Sequence, residues 1–393
     1  MNHFVLTVES SYGQMDNNNN NNSWTNLSGC VLESSNADDP ADPVSVQAEQ
    51  VLTMLKGAVF VPFLFLVGVV SIPISLMAFR QQGLHNRINL CLFSLELVNL
   101  VNVTFLLVLN LDSLYTPIEV VSYGPVFQFL QNYRLLGLLG FMYGAVYLSL
   151  LVSCERCISI LFPLRAKVLF STSTTFLLIL LGTASTSFPF FLIAASYDVI
   201  CAFDPQTLRS SVAVRANEFY VRHETLVNSL EGVYYGIVLS LGAPVLVFIC
   251  TAVTGVKLRQ TMNFRLHTSS SHAGIGKETA VTKMLIVLSV EFLILSLPSV
   301  VLRMVPLFET ELSVGGRLSR SFHVLFNVAE AASVLNSSIN FFVYYFVGSK
   351  FRESVRARCR CLRSNVLART LRRLSTRRRS LTEDNPSVST VVQ

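Results

Sequence analysis

Seven stretches of this chain are apolar for long enough to cross a bilayer, and no water-soluble fold offers seven such segments a place to bury themselves. A helix needs about 20 mainly apolar residues to span roughly 30 Å of hydrocarbon. Residues 53–79, 89–111, 133–157, 174–196, 231–256, 281–306 and 322–347 meet that requirement. Charged residues make up only 14% of the 393, against about 25% in a typical soluble domain, and the mean hydropathy is positive. The pattern predicts an all-α membrane protein, a seven-transmembrane helix bundle. The third stretch is the least uniform, because Arg134 sits near one of its ends.

Charge along the chain is segregated in a way that predicts orientation. Residues 1–50 hold seven acids and not one Lys or Arg, whereas Ser349–Gln393 holds one Lys and eleven Arg against three acids. Arg80 and Arg87 bracket the first connection, Arg165 and Lys167 the third, and Lys257, Arg259, Arg265 and Lys277 the fifth. Short basic loops stay in the cytosol. The expected topology is therefore a multi-pass plasma-membrane protein with its N-terminus outside and its C-terminus inside. The opening residues lack a basic segment followed by a long apolar run, so the first span is expected to direct insertion. Six consecutive Asn at 17–22 lie in a stretch too polar to form a core. The reading is three parts: a disordered extracellular tail over 1–51 with glycosylation sequons at Asn21 and Asn26, a receptor-like domain over 52–347, and a cytosolic segment over 348–393.

Enzyme chemistry finds little support. The six His are scattered, Cys154 and Cys157 have no second pair at metal-ligand spacing, and eight Cys are too few for a disulfide scaffold. No catalytic residue, metal, cofactor or nucleic-acid partner is expected. A transporter is the rival reading, since polar residues within spans also line substrate paths. The odd span count and the lack of a visible internal repeat stand against it.

Several motifs fall at mutually consistent spacings. The third span ends Glu155-Arg156-Cys157 and is followed by Phe162-Pro163-Leu164; the second carries Asn89, Leu92, Leu95 and Asn99. Pro244 lies in the fifth span, Phe292 and Pro298 in the sixth, and the seventh closes with Asn336 to Tyr344, including Asn340. Phe351 follows seven residues later between Lys350 and Arg352. Together these resemble the rhodopsin-like (class A) G-protein-coupled receptors, particularly invertebrate neuropeptide and chemosensory members, over roughly residues 50–360. The resemblance is imperfect. Ser71, Asn99, Ala145, Ala252, Ser296 and Phe341 stand where that family carries Asn, Asp, Ser, Tyr, Trp and Pro, and Gln131 stands where the third helix offers a Cys.

The resemblance implies a receptor that binds an extracellular ligand and activates a heterotrimeric G protein, with an arrestin as a further partner. A receptor-like chain that does not signal is the alternative those substitutions keep open. Arg156 is expected to hold Glu155 or Glu278 at rest, because a guanidinium beneath the membrane surface needs a partner. Release of that pair would let the sixth helix swing about Pro298. Arg134, Leu138, Met142, Arg303 and Glu330 are implied to border the ligand pocket, and two cations with one anion favour a peptide or small chemosensory ligand with an acidic group. An internal Arg-Glu bridge that touches no ligand is the other reading of the same three charges. Leu138 replaces the Asp of amine receptors, and Val334 replaces the retinal Lys of opsins.

With the third-helix Cys missing, Cys30 and Cys201, the two cysteines expected outside, are candidates for a disulfide. Beyond Phe351, Arg alternates with apolar residues, suiting a short amphipathic helix on anionic membrane lipids. Cys359 and Cys361 are candidate palmitoylation sites, and Ser375 and Ser380 candidate phosphorylation sites.

Overall fold

Each of the seven apolar stretches forms a helix in the computed structural model, which describes residues 31–32, 42–111, 125–204, 209–267, 273–309, 311–312 and 316–358. Six of the helices, Val46–Gln82, Arg87–Leu109, Leu135–Leu161, Thr172–Ala195, Glu224–Asn263 and Ala280–Val305, are apolar over a membrane-length window. The seventh, Ser319–Val347, is more polar because it turns Asn327, Glu330, Ser337, Ser338 and Asn340 into the bundle, where all five are buried. It lies between the first and sixth helices. Asn21, Asn26, Cys30, Cys359, Cys361, Ser375 and Ser380 lie outside the described residues, and the side chains of Cys201 and Glu278 are likewise not described.

The two ends of the bundle are built differently. At one end, Tyr197–Asp204 (β2) and Arg209–Ala216 (β3) form an antiparallel hairpin, and Val31–Leu32 (β1) adds a parallel strand with Val31 opposite Ala202. At the other, the chain leaves the seventh helix at Gly348 and forms a short helix over 349–358. That helix is held by Phe351, which is buried among the rings of Phe79, Tyr344 and Phe341 at 5.3, 5.4 and 5.8 Å. Aromatic packing of this kind anchors the expected amphipathic helix.

Two elements depart from the sequence expectation. The first helix begins at Val46 instead of 52–53, because Ser45 caps it by accepting from the Ala48 amide. It also contains a π-helical turn over Leu55–Phe60. The third helix does not run straight from 133. A short helix over Pro125–Asn132 is followed by Arg134 in the left-handed region, at φ 58°, then a 3-10 turn over Leu135–Leu139, and only then regular α-helix from Gly140. The fourth helix breaks at Pro189, as its proline suggests. Glycine lets the third and fourth helices meet closely: a Cβ on Gly140 would strike the Ser187 carbonyl, and one on Gly182 the Tyr147 ring.

Polar contacts step along the seam between the first and seventh helices toward the hairpin end. Lys56 meets Glu330 at 2.6 Å, Asn327 donates to the Thr53 hydroxyl at 2.8 Å, and His323 lies 2.8 Å from Glu49. The last step is Asp42, whose carboxylate accepts from the Arg320 and Ser321 amides and the Ser321 hydroxyl, capping the seventh helix. Burial pushes the Asp42 carboxyl up, but hydrogen bonds from the Val44 amide, the Ser321 hydroxyl and the Ser321 and Arg320 amides outweigh it and hold the group below the usual carboxylate range. A carboxyl depressed on folding stabilises fully above its unfolded pKa and loses that contribution only as pH falls through its folded value. Asp42→Ala should therefore cost about 1–2 kcal/mol at neutral pH. In thermal unfolding of both proteins as pH is lowered, the gap should persist to the usual carboxylate range and close below it; a gap already closed at pH 6 would contradict the cap.

Candidate functional site

A cavity of about 110 Å3 lies among the second, third, fifth, sixth and seventh helices, on the hairpin side of the bundle. Its wall is mainly apolar, with Leu106, Leu139, Met142, Leu239, Phe292 and Phe326 among the contributors. Two charged residues reach it, Arg303 and Glu330. Ser296, where the resemblance leads one to expect Trp, contributes a small hydroxyl to the wall instead of an indole.

Arg303 is buried and donates to the Tyr143 hydroxyl, with its guanidinium carbon 5.4 Å from the Tyr143 ring centre. Tyr143 is in turn packed on Tyr235 at 4.5 Å and Phe190 at 5.9 Å. This aromatic cluster fixes the direction of the guanidinium. The π-helical stretch Ser229–Gly242 brings in a further acid, Glu231, which accepts from the Tyr197 hydroxyl at 3.5 Å and lies within electrostatic reach of Arg303. A widened helical turn changes which side chains face inward, and such turns recur at functional sites.

Glu330 has partners on both carboxylate oxygens. Lys56 holds one at 2.6 Å and the Asn110 amide donates to the other at 2.5 Å. The bridge anticipated between Glu330 and an arginine is thus made by a lysine from the first helix. Both charges are about nine-tenths buried, and a pair so placed persists only because each neutralises the other. The π-helical turn at Leu55–Phe60 contains Lys56.

Met142, Arg303 and Glu330 are therefore brought together around one cavity, while Arg134 and Leu138 are not among its lining residues. Arg134 is withdrawn by the left-handed break and serves the hairpin: it pairs with Asp198 at 2.6 Å and donates to the Tyr197 carbonyl. Gln131, in the place of the absent cysteine, is buried and donates to the carbonyls of Ala194, at 2.8 Å, and Tyr197. Hydrogen bonds from Gln131 and Arg134 thus join the third helix to the hairpin where a covalent link was missing.

Toward the opposite end, Ser71 sends its hydroxyl to the Ser338 carbonyl at 3.4 Å, tying the first helix to the seventh, and Phe341 leaves the seventh helix unbroken. Glu96, Asn99 and Tyr344 are fully buried here, and Asn340 nearly so. Below them Glu155 is 3% exposed at its side chain and lies 2.9 Å from both Arg156 and Arg87. Its Oε1 also accepts from the Ser159 hydroxyl at 3.1 Å. Pro163 starts the short helix Pro163–Leu169, whose end is fixed by Arg87 through the carbonyls of Ala166 and Phe170 at 3.0 and 2.9 Å.

The expectations drawn from the sequence do not include Lys56, Asn110 or Glu231, and they give Arg87 only as a loop charge. A lone Lys inside an apolar span is a signal that a buried partner exists. Glu231 gave none, since its inward placement depends on a π-helical stretch.

The fold is a seven-helix bundle with an internal cavity on one side and a charged cluster at the other end. The family model for the serpentine type 7TM GPCR chemoreceptor Srw matches residues 140–362, which takes in the third to seventh helices and the short helix after them. The chain belongs to this family. A comparison with curated proteins finds no match.

The Lys56–Glu330 pair carries a measurable consequence. Lys56→Ala or Glu330→Ala should each destabilise the protein by about 3–5 kcal/mol, because each strands a buried charge. Lys56→Met with Glu330→Leu should recover most of that loss in a thermal melt. Single substitutions as mild as the double one would mean the charges are not buried against each other.

Proposed function

We propose that this protein is a chemosensory G-protein-coupled receptor with the hairpin end outside, the short helix 349–358 on the cytosolic leaflet, and a small-molecule ligand carrying an acidic group. The observation that carries the reading is Arg303, a buried guanidinium that donates to the Tyr143 hydroxyl and lines a mainly apolar cavity. An anion with an apolar body matches such a wall: the body replaces water against the leucines and the phenylalanines, and the acid meets a charge-assisted donor. Glu330 lines the same cavity with Lys56 and Asn110 on its two oxygens. The modest cavity favours a small carboxylate over a folded peptide inserted from outside.

At the other end, Arg156 and Glu155 form the resting pair, and their separation accompanies coupling to a heterotrimeric G protein. Basic connections on that side, Arg80 and Arg87, Arg165, and Lys257 and Arg259, support its cytosolic placement. Outside, the parallel register of β1 on β2 joins Val31 to Ala202, the residues that directly follow Cys30 and Cys201. Cys30 itself lies outside the described residues, and the register supports a disulfide tying the tail to the hairpin. Non-reducing peptide mapping should recover one cross-linked peptide containing both; two free thiols would overturn it.

A panel of small carboxylic acids applied to cells expressing the wild type and Arg303→Ala tests the ligand class. Loss of one charge-assisted hydrogen bond predicts a fall in potency of about 30-fold or more, with surface expression unchanged. Equal potency in the two proteins would remove Arg303 from the ligand site.

A further inference from the structure

Glu155 has two arginines where one would neutralise it, one close to each of its oxygens. Arg87 Nε lies 2.9 Å from Oε1 and Arg156 Nε 2.9 Å from Oε2. The carboxylate belongs to the third helix, Arg87 to the start of the second, and Arg156 to the next residue along. Arg87 is also fixed independently of Glu155, by the Ala166 and Phe170 carbonyls and by an approach to the Ser159 hydroxyl at 3.4 Å. Arg156 can therefore leave its oxygen without disturbing the other contact.

We infer that Arg87 is a stand-in counter-ion, which keeps Glu155 neutralised when Arg156 lets go and so makes that release accessible. Breaking a buried ion pair is strongly unfavourable chiefly because one charge is left alone in a medium that solvates it poorly. Glu155, 3% exposed, would be in that position if Arg156 were its sole partner. With Arg87 in place, departure of Arg156 leaves a complete Arg87–Glu155 pair with the Ser159 hydroxyl still donating. The freed guanidinium then becomes the available cation on the face where the proposed G protein docks; this step rests on the receptor reading above. Arg87 is a positioning residue, acting on coupling through Glu155. A clamp that merely restrained the resting state would behave in the opposite sense, since its removal would ease the release of Arg156.

Two measurements on the full-length protein decide the matter. The first needs no signalling: the thermal inactivation half-time of purified protein in lipid nanodiscs, followed with a thiol dye that reports exposure of buried Cys91 and Cys157. Arg87→Ala and Arg156→Ala should each shorten the half-time about threefold, because the other arginine remains. The double variant should shorten it about 100-fold, roughly tenfold beyond the product of the singles, and adding Glu155→Gln should remove that excess. A multiplicative double variant would overturn the proposal.

The second is ligand-independent guanine-nucleotide exchange with a panel of purified heterotrimers. Arg87→Ala should lower the rate about tenfold and Arg87→Ala with Glu155→Gln should restore it, a rescue that a general packing defect would not give. Faster exchange in Arg87→Ala would make Arg87 a clamp and overturn the proposal. Wild-type protein that drives exchange on no heterotrimer would count against the receptor reading, and the half-time cycle would still decide whether Arg87 is the second counter-ion.

Discussion

A charge inside a bilayer must be neutralised by something the protein itself supplies, and much of this structure is arranged around that requirement. Lys56 and Glu330 meet across the first and seventh helices near the cavity, and Arg87, Glu155 and Arg156 meet across the second and third at the far end. Neither set is confined to one helix, so each fixes how two helices lie against each other. Between these ends leucines such as Leu92, Leu148 and Leu288 pack beside the buried polar side chains of Glu96, Asn99 and Asn340. Apolar packing is close to indifferent between helix and lipid. The charged sets add directional constraints that packing alone would not supply.

The irregular backbone gathers on the cavity side. A π-helical turn carries Lys56, a longer one carries Glu231, and the third helix is entered through a left-handed residue and a 3-10 turn. Each alters which side chain faces inward, and the outcome is an apolar chamber with a fixed guanidinium. Toward the other end the second, third and seventh helices run as regular α-helix. A receptor's two tasks make different demands: recognition needs a particular constellation of side chains, whereas transmission needs stiff elements that move as units.

That division also explains what could be read from the chain. The seven spans and the docking of the short terminal helix by Phe351 follow from apolar runs and from a phenylalanine among basic residues, both local signals. Met142, Arg303 and Glu330 were legible as polar or flexible side chains in apolar helices, and they do share a cavity. Arg134 was misplaced because straight helical spacing carries it inward, while the actual chain breaks at that residue and gives it to Asp198. Lys56 was overlooked although its isolation in an apolar span was visible. Glu231 and Asn110 were beyond reach, since one depends on a π-helical stretch and the other on the cap of the second helix. Ser71, Gln131 and Phe341 depart from the family pattern, and each makes contacts of its own: two are hydrogen bonds between helices or to the hairpin, and the third is aromatic packing against Tyr345 and Phe351.

We propose the cluster of Arg87, Glu155 and Arg156 as the transmitting element of a receptor. Guanine-nucleotide exchange in membranes containing the wild type or Arg156→Ala, at matched surface amounts and with a panel of heterotrimers, tests it most directly. Exchange above background is expected for the wild type with at least one heterotrimer, and its loss in Arg156→Ala. Exchange that is undiminished in Arg156→Ala would contradict it.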